Sequence, residues 1–251
     1  MKHSSIFQSY GNYYDKLYDD KDYETEAGYI DSLLKNNDVS GNKILEFGSG
    51  TGRHGSFLVE KGYQITGIEK SHVMLQKTNK KDGLKCIQGD IRTISLDQNY
   101  DAVLALFHVM SYQTTNMDVS RVFCNAFKHL EKGGLFIFDV WYSPAVHNLK
   151  LETRLKSVKN DEIEIIRIAE PNNIINQNRV DVEYIFFVKK QKKNNYKKFC
   201  ETHPMRHFTI LEMDNFANTA GFKRINAQEF MTGNLPGSET WSVCFIYKKL
   251  N

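Results

Sequence analysis

An α/β fold with a mostly parallel sheet is predicted by three features of the 251-residue chain. From Ile44 onward, short apolar runs alternate with amphipathic stretches, the rhythm of strands joined by helices that cover both faces of one sheet. The run Glu46-Phe47-Gly48-Ser49-Gly50-Thr51-Gly52 follows the apolar pair Ile44-Leu45 and leads into Phe57-Leu58-Val59, which reads as a strand, a glycine turn and a helix start. After Trp141 the rhythm changes to long β-rich runs separated by Asn-rich turns, the pattern of an antiparallel insertion.

The first forty residues are expected to be mostly helical and carry Tyr10, Tyr13, Tyr14, Tyr18, Tyr23 and Tyr29. These rings either pack an N-terminal helix onto the domain or form a lid that closes over ligands. Strands are expected at 43–47, 64–69, 84–88, 100–106 and 135–141, with helices at 53–61, 71–79 and 118–129. Gly62 and Gly133-Gly134 stand where helix ends need a left-handed residue. Insertion strands are expected at 162–169, 179–190 and 198–208, then a helix at 210–220 closed by Gly221 and strands at 223–230 and 241–248. The reading is one domain, 1–251, with an N-terminal lid (1–40), a ligand-binding sheet (41–142 and 209–251) and a β-rich insertion (143–208).

Composition narrows the function classes. With 41% hydrophobic and 25% charged residues and no stretch near the roughly 20 apolar residues of a membrane span, a soluble globular protein is expected, with no membrane partner. Met1-Lys2-His3-Ser4-Ser5 leads into no apolar signal core, so the expected location is the cytoplasm. Cys86, Cys124, Cys200 and Cys244 lack C-x-x-C spacing, which argues for reduced, mostly buried thiols, without zinc or disulfides. A net charge of +3 is too small to argue for nucleic acid. The run Lys189-Lys190-Gln191-Lys192-Lys193, followed by Asn194-Asn195, reads as a solvated hairpin tip. The expected partner is a polar small molecule, with a homodimer left open.

The chemistry concentrates at strand ends. Gly48, Gly50 and Gly52 let a ligand approach main-chain N–H groups. A dinucleotide fingerprint would need glycine at 53, where this chain has Arg53. Glu69 ends the second strand, where a carboxylate can accept both hydrogen bonds of a ribose diol. Gly89-Asp90-Ile91 follows the third strand. The fourth runs into Phe107-His108-Val109-Met110-Ser111-Tyr112, where His108 could accept a proton and Tyr112 could hold the substrate, while Met110 packs. Trp141 and Tyr142 end the fifth strand and could wall a substrate pocket. In Glu201-Thr202-His203-Pro204-Met205-Arg206-His207 the residue types invite a metal, but they would have to converge across a Pro-containing turn, so no metal is expected. Arg206 could anchor a phosphate or carboxylate on the substrate, with His203 beside it.

The E-x-G-x-G-x-G spacing with Glu69, Asp90 and Ile91 in order behind it resembles the class I S-adenosylmethionine (SAM)-dependent methyltransferases. Tyr14-Asp15-x-x-Tyr18, Lys21-Asp22-Tyr23-x-x-Glu26-Ala27, Phe107 through Thr115 and Trp141-Tyr142-x-Pro144 resemble, more narrowly, the N-methyltransferases of nucleotide-linked amino sugars. The resemblance implies a Rossmann-like sheet whose last strand is antiparallel. It further implies SAM as cofactor, with Glu46 orienting its methionine part, Asp90 receiving the adenine amino group and Ile91 packing on the ring. Tyr14, Tyr23 and Phe107 would line the cofactor or substrate, and Tyr112 would sit near the accepting amine. Two departures stand out: His108 occupies the place of a small polar residue, and Phe47 and Ser49 that of Cys, Ala or Gly. The expected activity is methyl transfer to a nitrogen or oxygen of a polar small molecule, a nucleotide-linked or glycan sugar. A nicotinamide-dependent oxidoreductase and a non-catalytic SAM-binding regulator are the alternatives.

Overall fold

A computed structural model of the protein describes residues 6–78, 81–190 and 195–250. The N-terminal segment forms a 3-10 turn (Tyr10–Asn12) and helices α1 (Tyr14–Leu17) and α2 (Tyr23–Asn36). Then follow β1 (Lys43–Phe47), α3 (Arg53–Glu60), β2 (Gln64–Glu69), α4 (His72–Leu75), β3 (Leu84–Gln88), β4 (Tyr100–Ala105), α5 (Asn116–His129) and β5 (Leu130–Tyr142). The chain continues through α6 (Ser143–Asn148), β6 (Arg154–Lys159), β7 (Ile163–Ile174), β8 (Arg179–Lys190), β9 (Lys197–Phe208), α7 (Ile210–Thr219), β10 (Phe222–Glu229) and β11 (Ser242–Lys249).

Strands β3, β2, β1, β4 and β5 lie side by side and parallel. β11 pairs antiparallel with β5, and β10 antiparallel with β11, so the mostly parallel sheet closes on an antiparallel hairpin. Alternation along each strand builds two cores. Ile44, Leu104, Leu135, Ile137 and Ile246 face Ala27, Ile30 and Leu34 of α2 and Leu58 of α3. Their neighbours Leu45, Val103, Phe136, Phe138, Phe245 and Tyr247 face Val119, Val122, Phe123 and Ala126 of α5 and Met213 of α7. The first layer is mainly aliphatic. The second is aromatic, with Phe123 in edge contact with Phe136, Phe138 and Tyr247.

Local chemistry starts the helices. Asp22 accepts the Thr25 N–H at 2.9 Å to open α2, and Thr115 accepts that of Asp118 at 3.1 Å to open α5. Gly221, at φ +92°, ends α7 as expected. Gly133 differs from expectation. It has φ +78°, but α5 ends at His129 with an extended Leu130, so this glycine turns the chain inside the start of β5. The helix expected at 71–79 shortens to α4, and Asn79 lies outside the described residues. Of the four cysteines only Cys244 is buried, while Cys124 and Cys200 are exposed.

β6 to β9 form an antiparallel insertion. It joins the sheet through β5, whose last residues pair in parallel with β9, Trp141 with His207 and Tyr142 with Phe208. The lysine-rich run spans the β8–β9 connection, and its residues 191–194 lie outside the described residues. The N-terminal segment packs against the insertion: Tyr10 and Leu17 are buried with Ile163, Ile165 and Phe186, and Tyr13, Tyr14 and Tyr18 pack around them. Among the described residues no helix is long and apolar enough to cross a membrane.

Phe123 is fully buried at the centre of the aromatic layer. Phe123→Ala is expected to lower unfolding free energy by about 3–5 kcal/mol through the cavity it leaves. Urea denaturation followed by circular dichroism measures this, and a loss under about 1 kcal/mol would contradict the packing described.

Candidate active site

The glycine turn closes over the carboxyl end of β1. Gly48, Gly50 and Gly52 have φ of +68°, +58° and +76°, a conformation that side chains rarely adopt. The Gly48 and Ser49 N–H groups donate to the Ile68 carbonyl at 2.8 and 3.1 Å, and the Gly50 N–H donates to Glu69 Oε2 at 2.9 Å. A Cβ on Gly48 would stand 2.5 Å from the Val109 side chain, so the turn after β4 abuts this loop. Gly67 in β2 is a further requirement that the sequence reading did not single out. A Cβ there would meet Ser49 Oγ at 2.6 Å and Cys86 Sγ at 2.8 Å.

Two buried carboxylates flank the loop. Burial, reinforced by the nearby charge of Glu69, pushes the Glu46 carboxyl up to about 8. Its Oε2 is buried and has no hydrogen-bond partner. Burial also raises Glu69, against the pull of the Ser71 and Gly50 N–H groups. Each Glu69 oxygen takes one of these N–H groups, at 2.6 and 2.9 Å, and keeps a second lone pair. Beside Glu46, His54 Nδ1 lies 4.0 Å from Oε1, while His54 Nε2 is 2.7 Å from Glu26 Oε2. Glu26 in turn pairs with Lys21.

Asp90 is differently placed. Oδ1 accepts the backbone and Nε protons of Arg92, and Oδ2 those of Arg92 Nη2 and Lys70 Nζ, at 2.6 to 3.1 Å. These bonds hold its carboxyl well below the usual range. The saturated carboxylate gives the adenine reading no free acceptor. Ile91 is packed in the core with Ile68 and Phe47.

After β4 the chain passes through Phe107 and His108, both left-handed at φ +61° and +65°. Consecutive left-handed non-glycine residues store strain, a feature that gathers at functional sites. A partner absent from the sequence reading fixes them. Both Asp139 oxygens accept the His108 N–H at 3.2 Å, and Oδ2 lies 2.7 Å from His108 Nδ1 and 3.2 Å from Ser242 Oγ. Burial works to raise Asp139, but the His108 ring and these donors hold its carboxyl below the ordinary value.

Tyr112 Oη lies 2.9 Å from His203 Nδ1, and His203 Nε2 lies 3.4 Å from Glu201 Oε2. Glu201 also accepts the N–H groups of Phe7, Ser9 and Tyr10 at 3.0, 2.5 and 2.9 Å. His203 is wholly buried, so the expected contact with substrate is corrected: it serves Tyr112 and Glu201 instead. Arg206 is corrected as well. Its guanidinium donates to Asn116 Oδ1 at 2.7 Å and Glu212 Oε1 at 2.6 Å and stacks over Phe208, which ties β9 to α5 and α7.

The remaining aromatic residues pack around these groups. Trp141 packs 5.0 Å from Trp241 and 6.2 Å from the His108 ring, and Tyr142 packs on the aromatic core. Tyr14 lies among Phe7, Tyr10 and Tyr18. Tyr23 is buried between the Arg53 guanidinium at 4.6 Å and the His54 ring at 4.8 Å, and Phe107 meets Tyr18 at 5.3 Å. Thr51 Oγ1 donates to Asp15 Oδ1 at 2.7 Å, which lays α1 across the glycine loop. Of the open depressions, one lies at the opposite end of the sheet, around Lys43, Gln64 and Leu84, and another at Gly133 and Lys248.

These groups fit a cationic nucleoside. Glu69 has acceptor capacity for a diol, and the buried Glu46 oxygen suits an ammonium or sulfonium. Residues 44–134 match the family model of a methyltransferase domain. The protein is 26% identical, over 97% of each chain, to YqeM of Bacillus subtilis (strain 168), which is named as a methyltransferase. It is 28% identical over 125 residues to the dTDP-3-amino-3,4,6-trideoxy-alpha-D-glucopyranose N,N-dimethyltransferase of Streptomyces venezuelae, across 49% of this chain and 53% of that one. The sugar N-methyltransferase KedS8 from Streptoalloteichus sp ATCC 53650 shares the fold at a TM-score of 0.85 and 19% identity, covering 100% of this chain and 96% of that one. With the matched domain, the strand order and the glycine loop in agreement, the protein is a methyltransferase that depends on S-adenosylmethionine.

Proposed function

We propose that the enzyme methylates a nitrogen or oxygen of a sugar-like small molecule, with a nucleotide-linked amino sugar as the favoured class. The observation that carries this reading is the His108–Asp139 pair, 2.7 Å apart, on the strained turn that abuts the glycine loop. A histidine oriented by a buried carboxylate is a general base, able to take a proton from an accepting amine or hydroxyl. The relative from Streptomyces venezuelae, whose name specifies an amino sugar, supports the substrate class.

In this reading residues 1–40 act as the lid, 41–142 and 209–251 as the cofactor-binding sheet and 143–208 as the substrate insertion. Gly48, Gly50 and Gly52 admit the cofactor, Glu46 faces its cationic methionine part and Glu69 its ribose. SAM, once bound, supplies a methyl already electrophilic on a sulfonium. The chain's own residues align the acceptor at about 3–3.5 Å and exclude water. Tyr112 and His108 meet the accepting group, Trp141 and Tyr142 wall it, and Tyr14, Tyr23 and Phe107 hold the lid side.

His108→Ala is expected to lower kcat by about a hundredfold with little change in SAM affinity. Methyl transfer to a panel of nucleotide-linked amino and neutral sugars measures this, and unchanged turnover would sink the base assignment.

Glu46 gives a pH dependence. Its folded pKa of about 8 stands above the ordinary glutamate value, so the unfolded chain loses this proton first, and the stability of the SAM-free protein falls as pH rises from about 4.5 to 8. A cation bound beside Glu46 favours the carboxylate, so SAM affinity is expected to rise toward pH 8, by at most about tenfold per unit, with proton release near pH 7. Calorimetry in buffers of different ionisation enthalpy measures the protons released. Glu46→Gln should abolish the Glu46 share of that release and weaken binding, and unchanged proton release in Glu46→Gln would refute the assignment.

A further inference from the structure

We propose that Glu201 and His203 are positioning residues that make the Tyr112 oxygen a hydrogen-bond acceptor toward the methyl acceptor, and that docking of residues 7–10 sets this arrangement. The proposal rests on the methyltransferase reading and deepens it, because it states what the accepting group must offer. Its basis is a continuous chain of polar atoms that the cofactor site does not use.

The chain starts at the N-terminal segment. Three donors, the N–H groups of Phe7, Ser9 and Tyr10, converge on the two Glu201 oxygens. Glu201 is 3% exposed, and a carboxylate that deep needs such donors to stay ionised. Burial works to raise its carboxyl, but His203 with the Tyr10 and Ser9 N–H groups holds it below the ordinary value. Glu201 Oε2 then faces His203 Nε2 at 3.4 Å. A carboxylate cannot donate, so the imidazole proton belongs on Nε2 and Nδ1 is left as an acceptor. Nδ1 lies 2.9 Å from Tyr112 Oη, so the phenol donates to it. With its one proton turned toward His203, the Tyr112 oxygen presents only lone pairs to a ligand.

The consequence is chemical. Such an oxygen selects an acceptor group that still carries a proton, an ammonium, amine or hydroxyl, and disfavours a fully substituted nitrogen. The ring walls hold the chain rigid: Phe7, Tyr10 and Tyr184 all pack on the His203 imidazole at 4.8 to 5.3 Å. Phe7 also touches the Tyr112 ring at 5.6 Å, so the same segment that completes Glu201 closes over Tyr112. Undocking residues 7–10 strips Glu201 of its donors and frees the histidine to change tautomer.

The tautomer is the direct test. Nitrogen-15 imidazole spectra of the full-length protein, with S-adenosylhomocysteine added, should assign His203 to the Nε2–H form. Glu201→Gln should shift it toward Nδ1–H, and Glu201→Asp should restore much of the original signal. Amide hydrogen exchange at residues 7, 9 and 10 should speed up by about tenfold in Glu201→Gln. With an acceptor from the sugar panel, Glu201→Gln should lower kcat while KM for SAM holds, and the double variant with Tyr112→Phe should be no slower than Tyr112→Phe alone. A His203 resonance in the Nδ1–H form in the unaltered protein, an unshifted tautomer in Glu201→Gln, or additive losses in the double variant would each overturn the proposal. Calorimetric SAM binding to the unaltered protein tests the functional reading separately, since its failure would leave the tautomer result standing.

Discussion

The site depends on one constraint, the double pairing at the end of β5. Trp141 is registered at once against Ser242 of β11 and His207 of β9, and Tyr142 follows against Phe208. The insertion therefore leaves the sheet at the carboxyl ends of its parallel strands, where open α/β sheets bind ligands. From that joint the period of two along β9 puts Glu201, His203, Met205 and His207 on a single face, all of them buried. A slip of one residue would turn all four away. Two residues before the joint, Asp139 reaches the turn that carries His108. Both polar assemblies, the Asp139–His108 pair and the Tyr112–His203–Glu201 chain, are thus fixed by the register of a few residues.

Around this joint the buried carboxylates fall into two kinds. Asp139 is surrounded by donors and held ionised. Glu46 and Glu69 are raised by burial, and the charge of Glu69 adds to the rise of Glu46. Two desolvated acids of like sign are costly neighbours, and a cation close to both relieves that cost. The loop that separates them spends its Gly48, Ser49 and Gly50 N–H groups on the Ile68 carbonyl and on Glu69 itself. Placing the two acids at the ends of β1 and β2 suits a ligand with positive charge at one end and hydroxyls at the other.

Much of the parallel sheet was legible in the sequence, because alternation of the type Ile44-Leu45, Phe136-Ile137-Phe138 and Phe245-Ile246-Tyr247 serves two cores at once and leaves little ambiguity. β6 escaped, since Arg154-Leu155-Lys156-Ser157-Val158-Lys159 is an edge strand with four of its six residues basic or polar. The glycine loop and Glu69 were readable because their chemistry is local. Partnerships were not. Arg206 looked available because its carboxylate, Glu212, comes from α7, and a lone arginine in a sequence carries no sign of whether it is already paired. Asp139 sat unnoticed inside an aromatic run, and only the crossing from β4 to β5 brings it to His108. Gly67 could have been found, since a glycine within Ile65-Thr66-Gly67-Ile68-Glu69 costs strand stability unless something lies close above it, here Ser49.

The tyrosine-rich segment resolves in a way that neither reading alone captured. Its rings do pack, on Ile163, Ile165 and Phe186 of the insertion, but its polar contacts reach the ligand side: Asp15 to Thr51, Lys77 to the Gly11 carbonyl, Ser71 to the Phe7 carbonyl, and Glu201 to three amides. Each such bond is worth about 0.5–1.5 kcal/mol net, more where a charge takes part. Apolar packing is therefore divided from polar latching along the same stretch of chain. The latching side has a sum that water can replace bond for bond, because its partners are groups that hydrate readily once exposed. The packed side has no such exchange. Tyr10 joins the two sides, its ring packed on Phe186 while its N–H donates to Glu201, so one residue ties the packing of the segment to the carboxylate behind Tyr112.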